Sequence, residues 1–141
     1  FLRELGASEI LSRAEMSEPP RALEGQRWAG AVDTVGSTTL ARVLAETSYG
    51  GCVAACGLAG GADLPTTVMP FILRNISLRG VDSVMCPQDR RRAAWGRLVD
   101  DLPAKAVGEI GQTASLEQLP ELAEKITTGG IRGRVIVDLN A

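Results

Sequence analysis

Residues 49–61 read Tyr-Gly-Gly-Cys-Val-Ala-Ala-Cys-Gly-Leu-Ala-Gly-Gly, a short apolar run with glycines on both sides. Residues 52–56 have the length of a β-strand that is buried on both faces, which is typical of parallel sheets. Gly57, Gly60 and Gly61 predict a loop at the carboxyl end of that strand. Ligands of open α/β sheets bind at this edge, where residues without side chains let a ligand approach the backbone. A plain tight turn is the alternative interpretation of these glycines.

The composition is that of a globular domain. The 141 residues are 45% hydrophobic, which is enough for one domain with a core. No apolar run is long enough to cross a bilayer, so we expect no membrane partner. The net charge of −2 gives no reason to expect nucleic acid as a partner. The absence of histidine excludes a Ser-His-Asp triad, a Cys-His pair and His-liganded zinc within the chain.

The three cysteines are Cys52, Cys56 and Cys86, and all lie in apolar runs. An odd number of such residues predicts free, buried thiols in a reducing compartment, so we expect a cytoplasmic protein. Cys52 and Cys56 share one face of a strand, and we interpret both as core residues. No metal-ligand spacing is completed elsewhere in the sequence, so no metal is expected.

Predicted strands and helices alternate along the chain. The strands are predicted at residues 9–11, 29–35, 52–56, 76–84, 107–110 and 134–139. The helices are predicted at residues 37–47, within 64–75, and at 87–102 and 115–128. The last helix opens with the capping-box pattern Ser-Leu-Glu-Gln, and Pro120 moves its expected start toward Leu119. The alternation predicts right-handed βαβ units and a single α/β domain with a parallel sheet.

The first seven residues read as the last turns of a helix. Leu2 and Leu5 lie on one helical face, and Gly6 suits the left-handed residue that follows a helix end. A chain that begins in this way, with Phe1 instead of methionine, is expected to be a piece of a longer protein.

Three segments carry a resemblance to a known family. They are Trp-Ala-Gly-Ala-Val-Asp-Thr-Val-Gly at 28–36, the glycine-bounded stretch at 50–61, and Leu-Pro-Thr-Thr-Val-Met-Pro-Phe-Ile-Leu-Arg-Asn at 64–75, which runs into Gly-Val-Asp-Ser-Val at 80–84. Together they resemble the acrylyl-CoA reductase branch of the zinc-free quinone oxidoreductases, in the medium-chain dehydrogenase/reductase superfamily. The resemblance covers nearly the whole chain.

The resemblance implies a fragment of an NADPH-dependent oxidoreductase that reduces an activated C=C bond of a small-molecule substrate, such as acryloyl-CoA, another CoA thioester, an enone or a quinone-like compound. Residues 1–141 would be part of a nucleotide-binding domain with a C-terminal return segment. Its Rossmann-type, doubly wound sheet would lack the first strand and the glycine-rich turn, because no G-x-G-x-x-G is present. The catalytic residues would lie elsewhere, so the fragment alone is expected to be inactive.

The family's cofactor contacts fall on five positions of this sequence: Val35, Leu58, Ile72, Ser83 and Arg134. By this resemblance Val35 ends a strand at the cofactor edge, and Leu58 offers apolar surface and backbone amides to the nicotinamide half. Ile72 and Ser83 would flank the nicotinamide. Arg134 would give a fixed positive charge to a phosphate or to the carboxamide side.

Other positions leave two interpretations open. Glu9 stands where the family often has a basic residue for the adenosine end, and Arg13 is a candidate substitute. Asp33 either contacts a ligand or caps the following helix together with Ser37. The arginines at 90–92 either attract the phosphates of a CoA substrate or form a solvated helix surface.

The sequence also predicts how the protein assembles and leaves open an alternative function. The segment from Ile76 to Val84 is predicted to be an edge strand that pairs with its own copy in a homodimer. The reason is that the edge of a sheet must be covered, charged or paired. The alternative function, from another class, is a standalone binding or assembly module with a degenerate Rossmann fold and no catalysis.

Overall fold

The computed structural model describes residues 1–102 and 104–140, and the chain forms two compact units, Phe1–Cys86 and Pro87–Ala141. The first unit contains α1 (Arg13–Ser17), β1 (Trp28–Asp33), α2 (Ser37–Glu46), β2 (Thr47–Ala55), α3 (Met69–Arg74) and β3 (Ser77–Gly80). The second contains α4 (Gln88–Asp101), α5 (Ala104–Ile110), β4 (Gly111–Ser115), a 3₁₀ turn (Leu116–Gln118), α6 (Leu119–Thr127) and β5 (Arg134–Asp138). The single domain expected from the sequence stays a prediction.

The first unit is built around a three-stranded parallel sheet in the order β1-β2-β3. The helix α2 connects β1 to β2, and α3 connects β2 to β3, so the predicted alternation of strands and helices is confirmed here. Parallel neighbours need such crossover connections, because the chain must return to the same end of the sheet before the next strand begins.

One face of this sheet forms the core. Leu40 and Leu44 of α2 pack with Val53 of β2 and with Ile76, and partly buried hydrophobic residues surround them: Ala31, Val43, Ala55, Phe71 and Leu78. Leu44 and Val53 are fully buried. Each such side chain contributes roughly 1.5–3 kcal/mol when it leaves water, which makes this cluster the main source of stability for the unit.

The other face of the same sheet is exposed among the described residues. Val32 is 76% exposed although its neighbour in β1 packs against the core. The prediction of buried thiols is wrong for Cys52 and Cys56, which are free but exposed. Cys52 precedes the buried Val53, and successive strand side chains point to opposite faces, so Cys52 lies on the uncovered one.

The strand β2 begins at Thr47, earlier than predicted, and its pairing with β1 is irregular. Trp28 lies opposite Thr47 but Gly30 lies opposite Cys52, so residues 48–51 bulge out of the ladder. Gly50, inside the bulge, has φ of 74°. Such a left-handed conformation favours glycine, which explains the glycine pair before the apolar run.

Two predicted strands are shorter or absent in the first unit. The edge strand β3 spans only Ser77–Gly80, because the carboxylate of Asp82 accepts hydrogen bonds from the backbone N–H of Val84 and Met85 and forms a turn. Residues 9–11 are not a strand. They lead into α1, where the hydroxyl of Ser12 accepts from the N–H of Glu15 and caps the helix.

The N-terminal residues form the predicted helical turn. The N–H of Ala7 donates to the carbonyl of Leu2, and that of Gly6 donates to the carbonyl of Arg3, both at 3.0 Å. Gly6 has φ of 102°. This pair of hydrogen bonds around a left-handed glycine is the Schellman closure of a helix end.

The second unit contains a parallel pair of strands, β4 and β5, with Gly111 opposite Arg134 and Ser115 opposite Asp138. The strand predicted at residues 107–110 is wrong, because those residues belong to α5 and the strand starts at Gly111. The predicted capping box is confirmed between Ser115 and Gln118, and α6 starts at Leu119 as expected. None of the described helices is long and apolar enough to cross a membrane.

Candidate cofactor site

The carboxyl ends of β1 and β2 lie side by side, with Asp33 opposite Ala55. The turns that follow, residues 34–36 and 56–61, are joined by backbone hydrogen bonds. The N–H of Gly60 donates to the carbonyl of Val35 at 2.7 Å, and that of Ala59 donates to the carbonyl of Thr34 at 3.3 Å. The glycine loop predicted from the sequence therefore lies at the carboxyl edge of the sheet and is bonded to the turn that contains Val35.

The close approach of the two turns requires glycine. Gly36 has φ of 73° and forms a bridge with Gly61, and a Cβ on Gly36 would lie 2.5 Å from the carbonyl oxygen of Gly61. A Cβ on Gly57 would lie 2.5 Å from the carbonyl oxygen of Thr34. Turn-to-turn packing thus accounts for the glycines at positions 36 and 57.

Asp33 caps the first turn from inside. Its side chain is buried, and its Oδ2 accepts a hydrogen bond from the N–H of Gly36, the N-cap residue of α2, at 2.9 Å. Ser37 takes no side-chain part in the cap, and its N–H donates to the carbonyl of Asp63 at 3.1 Å. Of the two interpretations offered by the sequence, the structure supports capping for Asp33, without the help of Ser37.

Two cavities open beside the edge. One, of about 470 Å³, lies next to the first turn and α1, and its lining includes Val35, Thr34, Thr39 and Arg13. The other, of about 530 Å³, lies next to the glycine loop and includes Leu58. The structure therefore places Val35 and Leu58 on adjacent bonded turns that face different cavities.

Sequence reasoning missed Thr34 and Thr39 as lining residues of the first cavity. Thr34 directly precedes Val35 at the carboxyl end of a predicted strand, so its position could have indicated it. Thr39 lies inside α2, and no local sequence pattern indicates it. Arg13, the candidate substitute for a basic residue at position 9, does line this cavity, while Glu9 is exposed and absent from its lining.

The remaining predicted contacts lie elsewhere. Ile72 is 73% exposed on α3, and Ser83 is exposed in the turn after β3, next to Asp82 of the second cavity. Arg134 begins β5 in the second unit, where it lines an apolar cavity of about 650 Å³ with Trp95 and Ile136. Val35 and Leu58 are thus the pair that the hydrogen bonds of the first unit bring together.

The basic run on α4 is a surface feature. Arg90 and Arg92 are exposed in the first turns of the helix, as a solvated helix surface requires. Among the described residues, no further contact of these arginines favours a phosphate site over a solvated surface. The candidate site therefore does not include them.

Parallel strands joined by helices, with a glycine turn at their carboxyl edge, define a Rossmann-like domain. Residues 1–100 match the zinc-binding dehydrogenase family, and the chain belongs to that family. It is 57% identical over 140 residues to the probable acrylyl-CoA reductase AcuI of Escherichia coli (strain K12), covering 99% of this chain and 43% of that protein. The predicted resemblance to the acrylyl-CoA reductases is confirmed.

Solved structures give the same result. The chain superposes with a TM-score of 0.94 on the E. coli K-12 protein YhdH with bound NADPH, at 57% identity over 99% of this chain and 43% of that one. It superposes with a TM-score of 0.90 on the Bacillus subtilis protein yhfP with NAD bound, at 47% identity over 98% of this chain and 43% of that one. The predicted Rossmann-type α/β fold is confirmed, and the chain spans less than half the length of these relatives.

The family description names zinc, and the residues present do not fit it. The chain has no histidine, and within residues 1–102 and 104–140 no group of three or more Cys, Asp and Glu side chains is arranged to hold a metal ion. Tetrahedral zinc needs three or four such ligands. No step of the chemistry is therefore assigned to zinc held by this chain.

Proposed function

We propose that the chain is part of the nucleotide-binding domain, with a C-terminal return segment, of an NADPH-dependent oxidoreductase that reduces an activated C=C bond. The observation that carries the proposal is the pair of bonded turns at the carboxyl edge of β1 and β2, in a fold that superposes on a relative with bound NADPH. The proposed substrate is an acryloyl-CoA, enone or quinone-like compound, and the names of two relatives, an acrylyl-CoA reductase and a quinone oxidoreductase, support this class.

The proposed roles of the residues come from the resemblance to the family, and the placement of Val35 and Leu58 supports two of them. Val35 and Leu58 present turn backbone and apolar surface beside the two cavities, which suits a flat, phosphorylated ligand. We assign Ile72 and Ser83 to the flanks of the nicotinamide and Arg134 to a phosphate or carboxamide contact. When bound, NADPH supplies the hydride that goes to the β-carbon of the activated double bond, and the protein orients the two reactants.

We also propose a cytoplasmic homodimer that pairs through β3. The strand lies at the end of the β1-β2-β3 order, so among the described residues its outer backbone groups have no strand neighbour. Unpaired edges of this kind recruit another strand, and a copy of the same edge gives a closed two-fold assembly. Nucleic acid and membranes are not among the proposed partners.

The test uses the full-length protein with NADPH and acryloyl-CoA. We expect NADPH to be consumed in step with loss of the double bond and formation of the saturated thioester. A parallel assay with NADH measures cofactor preference, since one relative was solved with NAD. Saturated product formed without any nicotinamide cofactor, or no binding of either cofactor by calorimetry, would overturn the proposal.

A further inference from the structure

Asp33 is the residue whose contacts reach both turns of the candidate site. Its carboxylate accepts the N–H of Gly36 at 2.9 Å in the first turn. Its backbone carbonyl accepts the N–H of Cys56 at 2.9 Å, and the thiol of Cys56 donates to the same oxygen at 3.3 Å. Asp33 is 4% exposed, so it offers a ligand almost no surface of its own.

The first turn is a conformation that needs such a restraint. Gly36 has φ of 73° and Ser37 has φ of 47°, and a positive φ at a non-glycine residue is held only when surrounding groups fix it. Without the carboxylate, the N–H of Gly36 would lose its acceptor next to the buried strand end, and an unsatisfied buried donor is costly. The turn would then relax away from the glycine loop.

We infer that Asp33 is a positioning residue for the cofactor: it locks the turns that contain Val35 and Leu58 into one arrangement, so that their backbone is already in place when a nucleotide binds. The inference rests on the proposed function, because it assigns the purpose of the restraint to nucleotide binding. Preorganisation of this kind lowers the entropic cost of binding. The charge also suits its place, because a carboxylate beside the start of α2 faces the positive end of the helix dipole.

Glu46 provides a matched control. It is also a buried carboxylate with hydrogen-bond partners, the indole N–H of Trp28 at 2.9 Å and Nε of Arg42 at 3.1 Å. Glu46 ends α2 and directly precedes β2, at the opposite end of the strands from the candidate site. Its removal should cost stability while leaving the contacts of both turns in place.

The experiment compares Asp33→Ala, Asp33→Asn and Glu46→Ala in the full-length protein. Calorimetry gives the Kd for NADPH, a thermal melt gives Tm, and amide hydrogen exchange reports on residues 34–37 and 56–61. We expect Asp33→Ala to raise Kd about tenfold, equivalent to ~1.4 kcal/mol, and to speed exchange in both turns. Asp33→Asn keeps an acceptor for the N–H of Gly36 and should recover most of the affinity.

Glu46→Ala should lower Tm while leaving the Kd and the exchange of both turns near the wild-type values. The inference is wrong if Asp33→Ala binds NADPH as tightly as the wild type, or if Glu46→Ala weakens binding equally at the same loss of Tm. Where Asp33→Ala is too unstable to purify, Asp33→Leu, which has a similar volume and offers no acceptor, takes its place: protected turns and a wild-type Kd in that folded variant would contradict the role. A wild type that binds no nucleotide overturns the proposed function instead, whatever the exchange rates show.

Discussion

Arg74 joins three segments of the first unit through its guanidinium group. Nη1 donates to the carbonyls of Ala45 at 2.7 Å and Thr47 at 3.2 Å, and Nη2 donates to the carbonyl of Glu24. A planar, permanently charged group with several donors is suited to such a junction, and lysine would not replace it. These partners are distant in sequence, so no local pattern predicts them, and the role of Arg74 becomes visible only in the folded chain.

Glu24 also forms a local ion pair that controls its acidity. Arg21 donates from its side chain to both carboxylate oxygens and from its backbone N–H to Oε1, and this lowers the pKa of Glu24 to about 2 from 4.5. A pKa that is lower in the folded state gives stability that is present above the unfolded pKa and lost as pH falls through the folded one.

We therefore expect the Tm difference between the wild type and Glu24→Gln to be constant near neutral pH and to shrink below pH 4.5. Titration of the Glu24 carboxyl by carbon NMR measures the same effect directly, and the midpoint should rise toward its ordinary range in Arg21→Gln, which lacks the charged guanidinium group. Identical midpoints in the two proteins would contradict the assignment of the low pKa to Arg21.

The proposed contact of Arg134 with the cofactor can be tested by substitution. In the full-length protein, Arg134→Ala should raise the Kd for NADPH by about tenfold or more, since a hydrogen bond to a charged group contributes roughly 1.5–3 kcal/mol. Arg132→Ala, two residues earlier and also exposed, is the control and should bind normally. An unchanged Kd for Arg134→Ala at an unchanged Tm would make Arg134 a surface residue.

At the scale of elements, the hydrogen bonds of the strand β3 show which of its backbone N–H groups face the open edge of the sheet. The N–H of Val81 donates to the carbonyl of Ala55 at 2.9 Å, so it points toward β2. Successive residues of a strand direct their backbone groups to alternate sides, so the N–H of Gly80 points toward the open edge. Leu78 presents its N–H in the same direction, but its side chain packs against the core.

Gly80→Pro is therefore the substitution that should remove dimer pairing with least damage. Proline deletes the outward N–H, and a Cβ at Gly80 would meet no described atom within 4 Å. We expect monomers for Gly80→Pro and dimers for the wild type and for Gly80→Ala, which keeps the N–H, when molar mass is measured by light scattering. A monomeric wild type at micromolar concentration, or a folded dimer of Gly80→Pro, would refute the pairing.

The elements show how far the sequence predicts the structure. The start of α6 was predictable because the capping box and Pro120 are local signals that the fold keeps. Residues 107–110 were mistaken for a strand because a short apolar run fits a helix equally well. The glycine spacing predicted the loop at the strand edge, and the resemblance to the family assigned Val35 and Leu58 to that edge. The cavity lining by Thr39 depends on how α2 packs and has no local signature.

At the scale of the whole molecule, the sequence lacks the glycine-rich turn that holds a pyrophosphate in Rossmann domains. We expect residues 1–141 alone to show no reductase activity and to bind NADPH poorly, although this part of the chain contains Val35 and Leu58. Calorimetry of the isolated chain beside the full-length protein measures this difference. Micromolar affinity in the isolated chain would show that the edge of β1 and β2 suffices for binding.

Because one face of the sheet is uncovered, the reactivity of the Cys52 thiol can report how exposed that face is. Its thiol is free and exposed next to the fully buried Val53, and parallel sheets are ordinarily covered on both faces. In a variant whose other cysteines are serine, a maleimide should label Cys52 quickly in residues 1–141 and slowly in the full-length protein. The ratio of the two labelling rates would give the fraction of time for which the Cys52 thiol is accessible in the full-length protein. It would therefore measure how completely the remaining polypeptide covers this face.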